Sequence, residues 1–164
     1  MPAFHYILFS IAGYLIGSFP TGVVLSRKKY RIDIREMGSG NIGATNITRV
    51  FGWSAGIFTL LVDFLKSFLP LYWLHFKYPM ESWLLTSVGI ALVLGHCFSV
   101  FLRFKGGKGV ATSLGCLIVV APQLALIGSI TYFLLLVVTK ISAVGSLGGI
   151  GVALTSALLH ADLH

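Results

Sequence analysis

Two short stretches of this chain carry residue types suited to holding a phosphorylated ligand. The first is Gly38-Ser39-Gly40-Asn41-Ile42-Gly43-Ala44-Thr45-Asn46-Ile47-Thr48-Arg49, a small, polar, glycine-rich run between two strongly apolar segments. Glycines let backbone approach a ligand closely. Ser39, Asn41, Thr45 and Asn46 offer neutral hydrogen bonds, and the planar fork of Arg49 suits a phosphate. The second is Arg103-Phe104-Lys105-Gly106-Gly107-Lys108-Gly109, which leads into another apolar segment. Amide groups at a helix start favour an anion, glycines let it come near, and Lys105 and Lys108 add charge. The spacing is not that of a Walker A loop. The same run also reads as a basic turn at a membrane surface, and the sequence leaves both readings open.

The elements that position these stretches are those of a membrane protein. The chain is 56% hydrophobic and 10% charged, where a soluble domain carries about a quarter charged residues. No long polar segment interrupts it, so residues 1–164 read as a single membrane domain. The net charge of +7 comes from 12 Lys+Arg against 5 Asp+Glu. In an integral membrane protein this excess reflects topology and contact with anionic headgroups, not nucleic-acid binding. Cys97 and Cys116 have neither CxxC nor zinc spacing and read as packed free thiols. The N-terminal residues lack a basic n-region and read as the start of a retained first span.

A spanning helix needs about 20 apolar residues. Candidates are residues 3–25, interrupted at 17–22 by Gly17-Ser18-Phe19-Pro20-Thr21-Gly22, then 53–76, 83–104 and 141–159. The stretch 109–139 is too long for one untilted helix, since it would reach roughly 45 Å against a hydrocarbon core of about 30 Å. Pro122 should divide it, leaving a short piece before a full span. The fold class is therefore all-α, with about five full transmembrane helices plus short or broken segments. Gly145, Gly148, Gly149 and Gly151 in the last span suit close helix contact. Arg27, Lys28, Lys29, Arg31, Arg35 and Arg49 fall in the first loop, and Arg103, Lys105 and Lys108 in the third. The second and fourth hold only Lys77 and Lys140. The positive-inside rule then places loops one and three in the cytoplasm, the N-terminus outside and the C-terminus inside. Both polar stretches fall on the same side.

His96 lies about 13 residues after Trp83, roughly 20 Å along its helix, close to the second stretch. It reads as a phosphate contact, a proton carrier or a packed histidine. Asp63 and Lys66 share one helix face, and Asp63 lies about 15 Å into its span. They read as a structural ion pair or as support for the site, because ionisable groups at that depth face the protein and pair. No HxxxxD, HExxH or GxSxG pattern occurs, which excludes acyltransferases that use a His–Asp base of that spacing. No metal cluster is visible.

Residues 39–46 with Arg49, and Gly95-His96 followed by residues 101–112, closely resemble the first two motifs of the bacterial PlsY family. Gly17-Ser18-Phe19-Pro20 and Asp63-Phe64-Leu65-Lys66 are also similar to that family. The resemblance implies transfer of an acyl group from acyl phosphate to the 1-hydroxyl of sn-glycerol 3-phosphate, giving lysophosphatidate and phosphate in bacterial phospholipid synthesis. It implies no acyl-CoA, no metal and no organic cofactor. It places a multi-pass protein in the bacterial inner membrane with its site facing the cytoplasm, supplied by a soluble acyl-phosphate-producing enzyme. Ser39, Asn41 and His96 would serve catalysis. Gly40, Gly43, Thr45, Asn46, Arg49, Lys105, Gly106, Gly107 and Lys108 would bind substrate, with His160 where a third motif of the family begins. That motif contains an asparagine and a basic tail, neither of which follows His160 here. Two other readings stand beside this one: a transporter of a phosphorylated metabolite, and a catalytically silent, truncated member. The absence of inverted repeats and of further midplane charges argues against transport.

Overall fold

The computed structural model describes residues 2–161, with side chains to residue 159. The chain divides into two compact units, Met1–Cys116 and Leu117–His164. The first holds α1 (Ala3–Gly17), α2 (Thr21–Tyr30), α3 (Ala44–Phe51), α4 (Trp53–Lys77), α5 (Ser82–Cys97) and the start of α6 (Val110–Val120). The second holds the end of α6, α7 (Pro122–Thr139) and α8 (Ser142–Ala161). Among the described residues five segments are long and apolar enough to cross a membrane: residues 3–30, 53–77, 82–102, 122–139 and 142–159.

Side-chain polarity is arranged for a lipid solvent. Phe4, Ile7, Ile11, Phe58, Leu61 and Phe133 point outward, whereas Ser18, Thr21, Thr59, Asp63, Ser67, His96, Ser99 and Thr112 are buried. With hydrocarbon outside, large apolar residues gain nothing by burial and polar groups need partners within the protein.

The first span breaks where Pro20 requires it. Ser18 and Phe19 still donate to Tyr14 and Ile16, and α2 then begins at Thr21. A residue before proline is pushed out of the helical region, which leaves the Phe19 carbonyl outside the helical ladder. Pro122 opens α7 in the same way, dividing the fourth apolar stretch as its length demands.

Helices of the first unit meet through glycines. A Cβ on Gly17 would lie 2.0 Å from the Leu92 carbonyl oxygen, and one on Gly95 would lie 2.1 Å from that of Tyr14, so α1 and α5 cross backbone against backbone. The crossing is closed by Tyr14 Oη donating to the Phe98 carbonyl at 2.6 Å and Ser99 Oγ to the Ser18 carbonyl at 2.5 Å. α6 lies on α4, where Ser67 Oγ donates to the Thr112 carbonyl at 2.8 Å and Thr112 Oγ1 to the Asp63 carbonyl at 3.2 Å. In the second unit α7 and α8 pack as a hairpin. A Cβ on Gly149 would lie 2.6 Å from the Gly128 carbonyl oxygen. Gly145 and Gly148 are similarly crowded, but Gly151, expected to do the same, meets nothing within 4 Å.

One expectation is refined and one is corrected. The third span stops as a helix at Cys97, short of Phe104, and continues through a 3₁₀ turn, Val100–Leu102. Residues 44–51, read as loop, form the amphipathic helix α3. Its Ile47 is buried with Val23, Ile34, Ile42, Ala55 and Leu102 in a small core. The polar composition of that segment hides a helix whose apolar positions number only a few. Gly52, at φ +89°, turns α3 into α4 in a conformation that L side chains rarely adopt.

Gly95→Val should cost at least about 1–3 kcal/mol, the usual range for overpacking, because the obstructing atom is backbone. A lowered thermal unfolding midpoint in detergent, with Gly151→Val unchanged as the control, checks this.

Candidate functional site

The first polar stretch is a loop organised around one buried side chain. Asn46, 2% exposed, sits in the first turn of α3. Its Oδ1 accepts from the Ser39 amide at 2.9 Å and from Arg49 Nη1 at 3.3 Å. Its Nδ2 donates to the Met37 and Asn41 carbonyls, both at 2.9 Å. A carboxamide has two lone pairs and two protons to offer, so Asn46 is fully committed. It positions the loop and has nothing left for a ligand. Asn41 is also in use, its Oδ1 accepting from the Gly43 amide at 2.9 Å. Gly38 and Gly40 adopt positive φ, and a Cβ on Gly38 would lie 2.4 Å from Asn46 Oδ1. Gly43 caps α3, accepting from the Asn46 and Ile47 amides. The wrapped loop leaves Ser39, Thr45 and Arg49 exposed.

The loop is anchored upstream by Asp33. Its carboxylate accepts from Arg27 Nη2 at 2.6 Å and Arg35 Nη2 at 2.7 Å, and it caps the turn Ile34–Glu36 through the Arg35 amide at 3.0 Å. The Arg35 guanidinium, with Arg27, holds this carboxyl well below the ordinary carboxylate range.

The second stretch packs against the end of α5. The last turn of a helix leaves carbonyls without intrahelical donors. Here the carbonyls of His96 and Cys97 accept from the Gly107 and Gly106 amides, each at 3.0 Å. A Cβ on Gly106 would lie 2.0 Å from the His96 carbonyl oxygen, so this pairing requires glycine. The expected anion cradle is thereby modified, because these two amides hold the turn in place. Lys105 and Lys108 stand exposed beside them, and α6 begins at Val110 as the glycine pattern implies. Arg103 and Phe104 have φ of +52° and +64°, a strained pair for residues with side chains.

The two stretches converge. A Cβ on Gly107 would lie 2.3 Å from His96 Nε2 and 3.2 Å from Ile42 Cγ1, while one on Gly22 would lie 2.0 Å from the Ile42 carbonyl oxygen. Ile42 of the first stretch, Gly107 of the second and His96 of α5 therefore meet at one point, with α2 behind them.

Beneath this junction lies a buried polar cluster. Lys66 Nζ is 2.8 Å from Asp63 Oδ1, 2.9 Å from the Phe19 carbonyl oxygen and 2.9 Å from His96 Nδ1. Thr21 Oγ1 donates to Asp63 Oδ1 at 2.7 Å. The side chains of Asp63, Lys66 and His96 are 4%, 7% and 5% exposed, so the cluster is largely buried, with Lys66 at the edge of a groove beside α4. The helix-face argument had paired Asp63 with Lys66, but sequence offered no sign that Lys66 reaches His96 thirty residues on, or that Thr21 joins. Among the described residues no group of three or more His, Cys, Asp or Glu is placed to hold a metal ion. His160 lies outside the described side chains.

Five candidate spans among the described residues, with two glycine-built motifs that converge, define the class as a helical integral membrane protein. Residues 7–163 match the model of the glycerol-3-phosphate acyltransferase family, and the chain belongs to that family. It is 55% identical over 134 residues to the glycerol-3-phosphate acyltransferase of Trichlorobacter lovleyi, covering 79% of this chain and 66% of that protein. It is 46% identical over 144 residues to the one of Anaeromyxobacter sp. (strain Fw109-5), covering 86% and 71%. The crystal structure of PlsY, an integral membrane glycerol 3-phosphate acyltransferase, in its glycerol 3-phosphate form is 36% identical, with a TM-score of 0.88 over 95% of this chain and 78% of that one. The lysophosphatidic acid form of PlsY matches with a TM-score of 0.84.

Asn46→Ala should destabilise the loop by about 1–3 kcal/mol for each buried group left unpaired, read as faster proteolysis within residues 37–43. The Asp33 contribution has a defined pH window. Its folded value lies below its unfolded one, so the stabilisation is complete above about pH 4 and is lost as pH falls through the folded value. The stability difference between wild type and Asp33→Asn should stay constant from pH 8 to 5 and shrink in strong acid, measured by chemical unfolding.

Proposed function

We propose that this protein transfers an acyl group from acyl phosphate to the 1-hydroxyl of sn-glycerol 3-phosphate. It does so without acyl-CoA, at the cytoplasmic face of a bacterial inner membrane, with residues 1–164 forming one acyltransferase domain. The N-terminus lies outside and the C-terminus inside, as the distribution of Lys and Arg between loops supports. The observation that carries the reading is the convergence of the two stretches at Ile42, Gly107 and His96, which supports a single site drawing on both.

Both substrates bear phosphate and one bears an acyl tail. Arg49 of the first stretch and Lys105 and Lys108 of the second, all exposed, supply the cations. Ser39 presents its hydroxyl from a loop that Asn46 and Asn41 hold in shape, and Ser39 with Arg49 serves the phosphate or carbonyl of one substrate. An apolar groove of about 350 Å³ beside α4, lined by Ile16, Val62, Leu65, Leu69, Pro70 and Lys66, supports a substrate with a lipid tail. In the transfer, the 1-hydroxyl oxygen bonds to the acyl carbon and the bond from that carbon to the phosphate oxygen breaks. The electron pair leaves with phosphate, which also takes the hydroxyl proton. Acyl phosphate is already activated, so orientation and charge stabilisation supply most of the acceleration, and no side-chain base is demanded. The bilayer is the source of the acyl substrate, and a soluble enzyme that makes acyl phosphate is the partner.

The test is phosphate release by the purified protein in lipid, given palmitoyl phosphate and glycerol 3-phosphate, with palmitoyl-CoA as the control donor. Release requiring both substrates, with lysophosphatidate formed from acyl phosphate alone, is expected. Ser39→Ala and Arg49→Ala should each lower turnover about tenfold or more, the loss of one hydrogen bond to a charged group. Binding of glycerol 3-phosphate without turnover would identify a silent member, and uptake into vesicles without product would identify a transporter.

A further inference from the structure

Lys66 is the one residue in the buried cluster that touches every other part of it except Thr21. An ammonium has protons to give and no lone pair to accept with. At 2.9 Å from His96 Nδ1 it must therefore donate, and Nδ1 must accept. Asp63 Oδ1, at 3.8 Å from the same nitrogen, is too far to compete as an acceptor from it. The imidazole is consequently neutral, with its single proton on Nε2. That nitrogen is the one turned toward Gly107, at the point where the two stretches meet.

The geometry of Lys66 is fixed independently of the histidine. Asp63 holds it at 2.8 Å from the neighbouring helical turn, and the Phe19 carbonyl holds it at 2.9 Å from the break before α2. That carbonyl is available because Pro20 interrupts the helix. Thr21 in turn fixes the Asp63 oxygen. The chain Thr21–Asp63–Lys66–His96 thus runs from the helix break through α4 to α5 and ends at a nitrogen that faces the junction.

Resting on the acyl-transfer reading, we propose that Lys66 is a positioning residue which locks His96 as its Nε2–H tautomer, so that one oriented donor meets a phosphoryl oxygen of the substrate. The function of the buried ion pair is then to set the direction of a hydrogen bond, because a histidine's tautomer is decided by what its other nitrogen bonds to. Gly107 belongs to the same device. A side chain there would fall on Nε2 and cover the donor.

The experiment is ¹⁵N magnetic resonance of histidine-labelled protein in lipid, with the His96 signals assigned by loss in His96→Gln. Wild type should show one neutral species, protonated at Nε2 and unprotonated at Nδ1, and saturating glycerol 3-phosphate should shift the Nε2 signal. Lys66→Met should give a mixture of tautomers and lower kcat/KM about tenfold or more, while Lys66→Arg, which keeps a donor, should retain the Nε2–H form. A wild-type ring protonated at Nδ1, a signal indifferent to glycerol 3-phosphate, or a Lys66→Met ring identical to wild type would each overturn the proposal. The signals of His5 and His75 report whether the variants fold, and if Lys66→Met does not, the wild-type spectrum and its response to glycerol 3-phosphate decide alone. Lack of acyl transfer by wild type would count against the proposed function, whereas the tautomer is read without turnover.

Discussion

The interior of the first unit depends on a buried ion pair that has no water to fall back on. Asp63 and Lys66 sit well inside a spanning helix, where removing charge from water costs several kcal/mol per ion unless hydrogen bonds replace the hydration. Thr21, the Phe19 carbonyl and His96 are those replacements. Each comes from a different element, so satisfying the pair dictates where the α1–α2 break, α4 and α5 must lie. A buried salt bridge is weak grounds for expecting stability, since an apolar pair of the same shape often does as well. Its value here is directional, because an ion pair with three specified partners admits few alternative packings.

The second constraint is backbone proximity. Hydrocarbon outside the protein removes the usual reward for burying large side chains, and helices associate instead through close contact. Gly17, Gly95 and Gly115 face carbonyl or amide groups of neighbouring helices at distances that leave no room for a Cβ, as Gly22 does against the first motif. The same device builds the site. Gly106 and Gly107 satisfy the orphan carbonyls at the end of α5, and by lacking side chains they bring the second motif onto His96. Packing and site construction are here one problem with one solution.

Legibility in the sequence followed the strength of the local signal. Five spans, the break at Pro20 and the division at Pro122 were readable because apolar length and proline act locally. Residues 44–51 were not readable as a helix, because α3 is short and gains its place by burying Ile47 in a core assembled from distant residues. The type of Asn46 suggested a ligand contact, and the structure spends three of its hydrogen bonds on the loop and the fourth on Arg49. The amides of Gly106 and Gly107 were likewise misread as available, since nothing local announces that the end of α5 will claim them.

By itself the amino-acid order determined the membrane class, the span boundaries to within a few residues, the two phosphate-suited motifs and the family. These follow from composition, periodicity and ordered residue types, which act at short range along the chain. Only the tertiary structure decided that the motifs converge at Ile42, Gly107 and His96, that Asn41 and Asn46 are occupied by their own loop, and that Lys66 is bonded to His96. The convergence and the Lys66–His96 bond bring together groups tens of residues apart through the packing of helices, and the Asn41 and Asn46 bonds depend on the exact path of the loop around α3, which residue types alone do not specify.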